Sequence, residues 1–168
     1  MCGRLEAYLI SFSHLKREKD NKIWKAESGY RSPLLPLFLI TLLDQIESGK
    51  ILRNFISLND ELQNCYSVYT KLLQVPVSQS TIVIPFQDLG KTSFWELVPQ
   101  PGRKSAPEKG ALLTTREEFY TYYLGGRLSE DLYTLMQMPH LRKKLRTVLL
   151  ESHFSNTMQT TIKNKSDI

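Results

Sequence analysis

The run PLLPLFLITLL, residues 33–43, decides the fold expected of this chain. Its apolar side chains continue nearly all the way round a helix, which is typical of a helix buried on every side. Pro33 stands where a first-turn proline is tolerated, and Ser32 precedes it as a candidate N-cap. Ser48-Gly49 would end the helix. The run is too short to cross a membrane, so we expect it to be the central helix of the core.

Apolar residues at helical spacing predict further helices on both sides of this run. Residues 5–19 form one amphipathic stripe, and residues 62–73 form another. Three more helices are expected to start at Thr115, Ser129 and Pro139. The first of these three should end at Gly125-Gly126, because glycine commonly terminates helices.

One small β element is expected between the helices. Residues 93–98 alternate like a strand, and residues 99–102 (Pro-Gln-Pro-Gly) form a turn. Residues 111–113 are expected to pair back as the other half of a hairpin. Residues 81–84 are β-prone, but Pro85 cuts that tendency short. The predicted fold class is mainly α: a compact multi-helix single domain with one small β-hairpin.

A chain of 168 residues fits one domain, which we expect to span residues 1–155, with a polar, disordered tail at 156–168. The two cysteines, Cys2 and Cys65, form no C-x-x-C motif, which favours a reducing, cytoplasmic setting. The N-terminus shows no secretory signal pattern, and no membrane partner is expected.

The net charge of +5 is mildly basic, which favours polyanions without identifying one. Residues 139–165 concentrate six cations against one acid, Glu151. Two interpretations stay open: a solvated helix face with a basic tail, or a helix that docks a partner.

Motifs for catalysis are missing from the sequence. His14, His140 and His153 share no ligand spacing with one another or with the cysteines, so no metal or cofactor is expected. No phosphate-binding loop, nucleophile elbow or dinucleotide fingerprint occurs. Glu117-Glu118 and Glu130-Asp131 stand at expected helix starts, where carboxylates favour the helix dipole. The sequence does not support an enzyme.

Two stretches carry most of the functional information, Tyr30 to Leu35 and Ile84 to Leu89. The first places an aromatic ring, a guanidinium and a hydroxyl directly before the central helix. The second places a proline and a phenylalanine between two structured regions. Together they would build a small apolar pocket rimmed by positive charge, suited to a nucleic-acid backbone with an unusual substituent. Taken separately, Arg31 fits a surface ion pair equally well, and Pro85-Phe86 fits an ordinary turn.

Both stretches, with Phe94-Trp95-Glu96-Leu97 and residues 128–154, resemble the sulfur-binding domain that precedes the His-Asn-His (HNH) nuclease domain in McrA-like type IV restriction endonucleases. The likeness covers residues 20–155. It implies recognition of double-stranded DNA carrying a phosphorothioate linkage, in bacterial defence, with a nuclease domain or subunit as a further partner. The HNH domain of the resembled family is absent from this sequence, so no catalytic residues are expected.

The resemblance also implies which residues bind the modified DNA. One wall of the pocket would hold Tyr30, Arg31 and Ser32, and the other Ile84, Pro85 and Asp88. Arg31 would clamp the phosphate, and Pro85 would form the apolar floor. Relatives often carry an aromatic residue at Ile84 and a basic residue at Ser32. Asp88 beside a phosphate would need a cytosine amino group or Arg31 as its partner.

Arg103, Lys104 and Lys91 are further candidates for contacts with DNA phosphates or base edges. Two other functions are retained as alternatives. The chain would bind DNA generally, or read a modified base, without selectivity for sulfur. Otherwise it would be a protein-interaction domain.

Overall fold

The computed structural model describes residues 2–17, 19–20, 22–24, 26–102 and 113–166. These residues form eight α-helices and one antiparallel pair of strands, so the predicted mainly α class is confirmed. In chain order the elements are α1 (Cys2–Ser13), α2 (Leu34–Glu47), α3 (Asp60–Leu72), α4 (Val83–Asp88), β1 (Trp95–Pro99), α5 (Arg116–Tyr122), β2 (Tyr123–Leu128), α6 (Glu130–Met136), α7 (Pro139–His153) and α8 (Asn156–Ser166).

Helix α2 occupies the centre of the molecule, as its sequence predicts. Ten of its fourteen residues are buried, and it packs against α3, α4 and α7. Pro33 is its N-cap residue and Ser48 its C-cap residue, and Gly49 follows with a φ of 76°. A helix apolar on nearly every face can lie only inside a ring of other elements.

The predicted strand partner of β1 is wrong. Strand β1 pairs with β2, with Trp95 opposite Leu128 and Leu97 opposite Gly126. Leu113 lies in no strand, and residues 111–112 are outside the described residues. Because α5 lies between the two strands in the sequence, they form a small sheet and not a hairpin.

The two glycines expected to end a helix instead belong to β2. A Cβ atom on Gly126 would lie 2.3 Å from Cζ2 of Trp95, and one on Gly125 would lie 2.4 Å from the carbonyl oxygen of Ile56. Ile56 also exchanges two backbone hydrogen bonds with Gly126, at 2.8 and 2.9 Å. Glycine is needed here because other atoms approach the backbone closely.

Both ends of the chain differ from their predictions. Helix α1 ends at Ser13, well before residue 19. The tail expected to be disordered is instead helical from Asn156 to Ser166. Its sequence is polar, but Ile162 is fully buried and anchors α8, which packs against α3 and α7. Among the described residues no helix has the length and apolarity needed to cross a membrane.

Candidate functional site

The segment before α2 is a tight turn that presents two of the predicted site residues to solvent. Gly29 and Tyr30 have φ values of 67° and 60°, and the N–H of Asp20 donates to the Tyr30 carbonyl oxygen at 3.0 Å. Positive φ is uncommon for a residue with a side chain and persists only where surrounding contacts hold it. The Tyr30 side chain is 44% exposed, and Arg31 is also exposed.

A second arginine, Arg17, lies beside Arg31. The buried residue Ser28 joins them: its carbonyl oxygen accepts from Nη1 of Arg17 at 2.9 Å and from the N–H of Arg31 at 3.3 Å. Its hydroxyl donates to the Arg31 carbonyl oxygen at 2.8 Å. Burial, and then the charge of Arg31, lower the pKa of Arg17 to about 10. Two neighbouring guanidinium groups therefore repel each other, and a bound anion would relieve that repulsion.

The N-terminus of α2 adds to this positive region. Ser32 is not the N-cap, but its hydroxyl oxygen accepts from the Leu34 N–H at 3.3 Å and satisfies one free donor of the first turn. The first turn of α2 contains no acidic residue. The partial positive charge of a helix N-terminus is therefore not offset within the helix itself.

The second stretch forms a short helix and not a break between regions. Pro85 lies in the first turn of α4, where its missing N–H costs no hydrogen bond. Ile84 and Pro85 are both buried. Phe86 is fully buried, with ring centroids of Trp95 and Phe119 at 5.0 and 5.1 Å from its own, both edge-to-face. The predicted apolar floor is therefore a rigid part of the core.

Asp88 has a local partner. Its carboxylate lies 3.6 Å from Nζ of Lys91, one helical turn further on, and the two side chains are 37% and 83% exposed. No ion pair joins Asp88 to Arg31 among the residues that the structure describes. Two predicted site residues, Asp88 and Lys91, thus meet each other at the end of α4.

Helix α2, which follows the first stretch, packs inside the core against helix α4, which contains the second stretch. The rings of Phe38 in α2 and Phe86 in α4 have centroids 5.5 Å apart. Four cavities found among the described residues are lined by other parts of the chain, and none of the four combines residues 30–32 with residues 84–88. The shared apolar pocket therefore stays a prediction.

Arg103 and Lys104 lie outside the described residues, but side-chain amides hold both flanks of their connection. On one flank, Nε2 of Gln100 donates to the carbonyl oxygens of Tyr120 and Tyr123, at 2.9 and 3.2 Å. On the other flank, Nε2 of Gln87 donates to the Leu113 carbonyl oxygen at 2.6 Å, and its Oε1 accepts from the Leu113 N–H at 3.2 Å. Gln87 belongs to α4, so Leu113 is bonded to the helix that contains Pro85.

The described residues offer no cluster of three or more His, Cys, Asp or Glu side chains that could hold a metal ion. His153 has a structural role: its Nε2 lies 2.7 Å from the Phe12 carbonyl oxygen, which links α7 to α1. Burial lowers the pKa of His153 to about 4, so the ring is neutral near pH 7.

Comparison with known proteins places this fold in one structural class. No protein-family model matches the chain, and no curated protein matches it. Among solved structures the fold is similar to that of a sulfur-binding domain. The similar structure is the sulfur-binding domain of SprMcrA complexed with phosphorothioated DNA, with a TM-score of 0.64 and 18% sequence identity. The match covers 91% of this chain and 87% of the other, and that neighbour is a DNA-binding domain, not a catalytic one.

Proposed function

We propose that this chain binds double-stranded DNA carrying a phosphorothioate linkage, in which sulfur replaces a non-bridging phosphate oxygen. The similarity of fold to a domain solved with such DNA, over 91% of the chain, is the main support. The site we propose is the turn at residues 28–32 with Arg17 and Arg31 and the N-terminus of α2, called the positive turn below. A nuclease domain or subunit of a type IV restriction system is the further partner we propose.

Affinity for DNA comes from the positive turn in this proposal. Arg31 contacts the phosphate directly, Arg17 adds charge behind it, and the N-terminus of α2 points partial positive charge toward the same place. Tyr30 lies beside the sugar or the sulfur. Lys91, Arg103 and Lys104 reach neighbouring phosphates or base edges.

Selectivity for sulfur comes from Ile84 and Pro85. Sulfur is larger and more weakly hydrated than oxygen, so it loses less on leaving water for an apolar wall. A phosphate oxygen placed there loses its hydration without gaining a donor, at a cost of about 1–3 kcal/mol. Ser32 forms the polar edge of the pocket.

The test compares two duplexes that differ by one sulfur atom. Fluorescence anisotropy at a salt concentration of about 0.15 M should show roughly tenfold tighter binding of the phosphorothioate duplex, which corresponds to about 1.4 kcal/mol. Resolved stereoisomers should differ from each other, because a fixed pocket accepts only one non-bridging position. Equal dissociation constants for the modified and unmodified duplexes would contradict the proposal.

A pair of proline variants locates the selectivity. Pro85→Ala should reduce the preference for sulfur while leaving affinity for the unmodified duplex unchanged. Pro76→Ala removes an exposed proline elsewhere and is the matched control, for which both affinities should stay constant. If Pro85→Ala keeps the full preference for sulfur, the pocket lies elsewhere on the molecule.

DNA binding without sulfur selectivity is a second candidate, and two observations favour it. Ile84 is only 5% exposed, which leaves little apolar surface for a ligand. The carboxylate of Asp88, at the end of the same helix, would repel phosphate and phosphorothioate alike. This candidate predicts equal affinities for both duplexes and a salt dependence set only by the number of phosphate contacts. Asp88→Ala would then tighten binding of both duplexes equally.

A further inference from the structure

A cavity of about 560 Å³ lies at the other end of α2, between that helix, α7 and α8. It is lined at α2 by Leu43, Asp44 and Glu47, whereas the positive turn precedes Leu34. The fourteen-residue helix spans about 20 Å, so the two places are well separated. A cavity of this size is in the range of small-molecule sites, about 300–1,000 Å³.

An ion pair at this cavity is already satisfied by the protein. Nη1 of Arg146 lies 2.6 Å from Oδ1 of Asp44, and both side chains are about four-fifths buried, at 18% and 20% exposure. The hydroxyl of Tyr69 also donates to Asp44. This arrangement joins α2, α3 and α7 and neutralises its own charge. The ion pair therefore lines one side of the cavity and contributes no net charge to it.

The three remaining cations at the cavity have no acidic partner among the described residues. Arg142, Lys143 and Lys163 all line it, and none of them forms an ion pair with a described residue. Nη1 of Arg142 donates to the Met136 carbonyl oxygen at 2.9 Å, but its Nε is buried and has no hydrogen-bond partner among the described residues. With Glu47 as the other acid, the lining has four cations against two acids, a surplus of two positive charges.

The cavity also has an apolar side, formed by Leu43, Pro139 and Leu150. Its contents should therefore combine an anionic group with an apolar body. A phosphate monoester has a charge of about −1.5 to −2 near neutral pH, which matches the surplus better than a single carboxylate does. A concave space of this volume suits a small molecule rather than an extended polymer.

We propose that this cavity binds a small organic phosphate of the mononucleotide type. The phosphoryl group lies between Lys143, Lys163 and Arg142, and the apolar body lies against Leu43 and Leu150. The site is separate from the positive turn, so this proposal can be tested independently of the proposed function.

Adenosine monophosphate is the probe, followed by NMR on the isotopically labelled chain. Millimolar probe should shift the backbone amide signals of Leu43, Thr147 and Leu150, while those of residues 30–32 stay in place. Adenosine without phosphate should not produce these shifts. Their absence with adenosine monophosphate, or equal shifts with adenosine, would overturn the proposal.

Charge reversal supplies the matched variants. Lys143→Glu with Lys163→Glu should weaken binding of adenosine monophosphate by about tenfold or more, because two phosphate contacts become repulsive. Lys144→Glu with Lys71→Glu makes the same change in net charge at exposed lysines outside the cavity and should retain affinity. An equal loss in both double variants would show general electrostatic attraction and overturn the assigned site.

A short single-stranded oligonucleotide tests whether the cavity binds a free nucleotide or the phosphates of a nucleic-acid strand. Shifts of the same amide signals by the oligonucleotide, with none from adenosine monophosphate, would overturn the small-molecule assignment in favour of nucleic-acid strands. The preference for a phosphorothioate duplex should be unchanged by Lys143→Glu with Lys163→Glu.

Discussion

The stretch before α2 and the stretch in α4 are built in opposite ways. Tyr30 and Arg31 are exposed and held by backbone hydrogen bonds, whereas Ile84, Pro85 and Phe86 are buried, with the Phe86 ring packed against other aromatic rings. The side chains of Tyr30 and Arg31 can change at little cost in stability, and those of Ile84, Pro85 and Phe86 cannot. In the proposed function, affinity therefore depends on a replaceable surface, and selectivity depends on the core.

Truncating the aromatic ring of the buried stretch should cost the most stability. Phe86→Ala should lower the free energy of unfolding by about 3–5 kcal/mol, because it removes a fully buried ring that contacts Phe38, Trp95 and Phe119. Tyr30→Ala, from the exposed stretch, is the control and should stay within about 0.5 kcal/mol of the parent protein. Urea denaturation measures both. Similar losses in the two variants would show that the two stretches contribute equally to stability.

Lowering the pH should reduce the stability of the protein through the buried side chain of His153. The pKa of His153 is about 4 in the folded chain against an ordinary 6.5, mainly because of burial. The contribution of His153 to the free energy of unfolding should therefore be fully present above pH 6.5. It should fall by about 3 kcal/mol as the pH drops to 4, because only the unfolded chain takes up the proton. Arg17, whose pKa is lowered only to about 10, keeps its charge throughout this range. Urea denaturation at pH 7 and pH 4.5 measures the fall.

Two histidine variants assign that fall to one side chain. His153→Gln should flatten the pH dependence, whereas His140→Gln, at an exposed position, should leave it as in the parent protein. A fall of unchanged size in His153→Gln would assign the acid sensitivity to other groups.

The smallest expected effect tests the exposed side. Arg31→Ala should weaken binding to modified and unmodified duplexes alike by about 1–1.5 kcal/mol and reduce the salt slope by about one phosphate contact. Its thermal stability should match that of the parent protein. Arg53→Ala is the matched control, since Arg53 is an exposed arginine that lies over the Phe55 ring, 5.6 Å from its centroid. Loss of preference for sulfur in Arg31→Ala would mean that this arginine also sets selectivity.

The parts of the fold that the sequence predicted are those with one physical solution. The apolar run of α2 can lie only in a core, and Gly49 has the positive φ expected after a helix. Gly125-Gly126 is compatible with two structures, a helix end and a closely packed strand, because glycine occurs in both. The choice depended on Trp95 and Ile56, which no local pattern relates to these glycines.

The candidate site shows the same limit. Arg31 was evident because it directly precedes the central helix. Arg17 is not evident from the sequence, since its approach to Arg31 depends on the turn at Gly29 and Tyr30 and on Ser28. The Asp88–Lys91 pair is not evident from the sequence for a different reason: Pro85 predicts a break, although a first-turn proline is also compatible with a helix that brings these two side chains together.

Trp95 gives the molecule an optical signal for the region that would read sulfur. Its indole N–H donates to the Phe86 carbonyl oxygen at 2.8 Å, and its ring meets Phe86 edge-on. Any rearrangement of α4 therefore changes the surroundings of one fluorophore. Trp24 is buried elsewhere, so replacing it by Phe would leave Trp95 as the single tryptophan. A ligand that contacts α4 would then change the emission of Trp95, whereas a ligand that contacts only the turn before α2 would not.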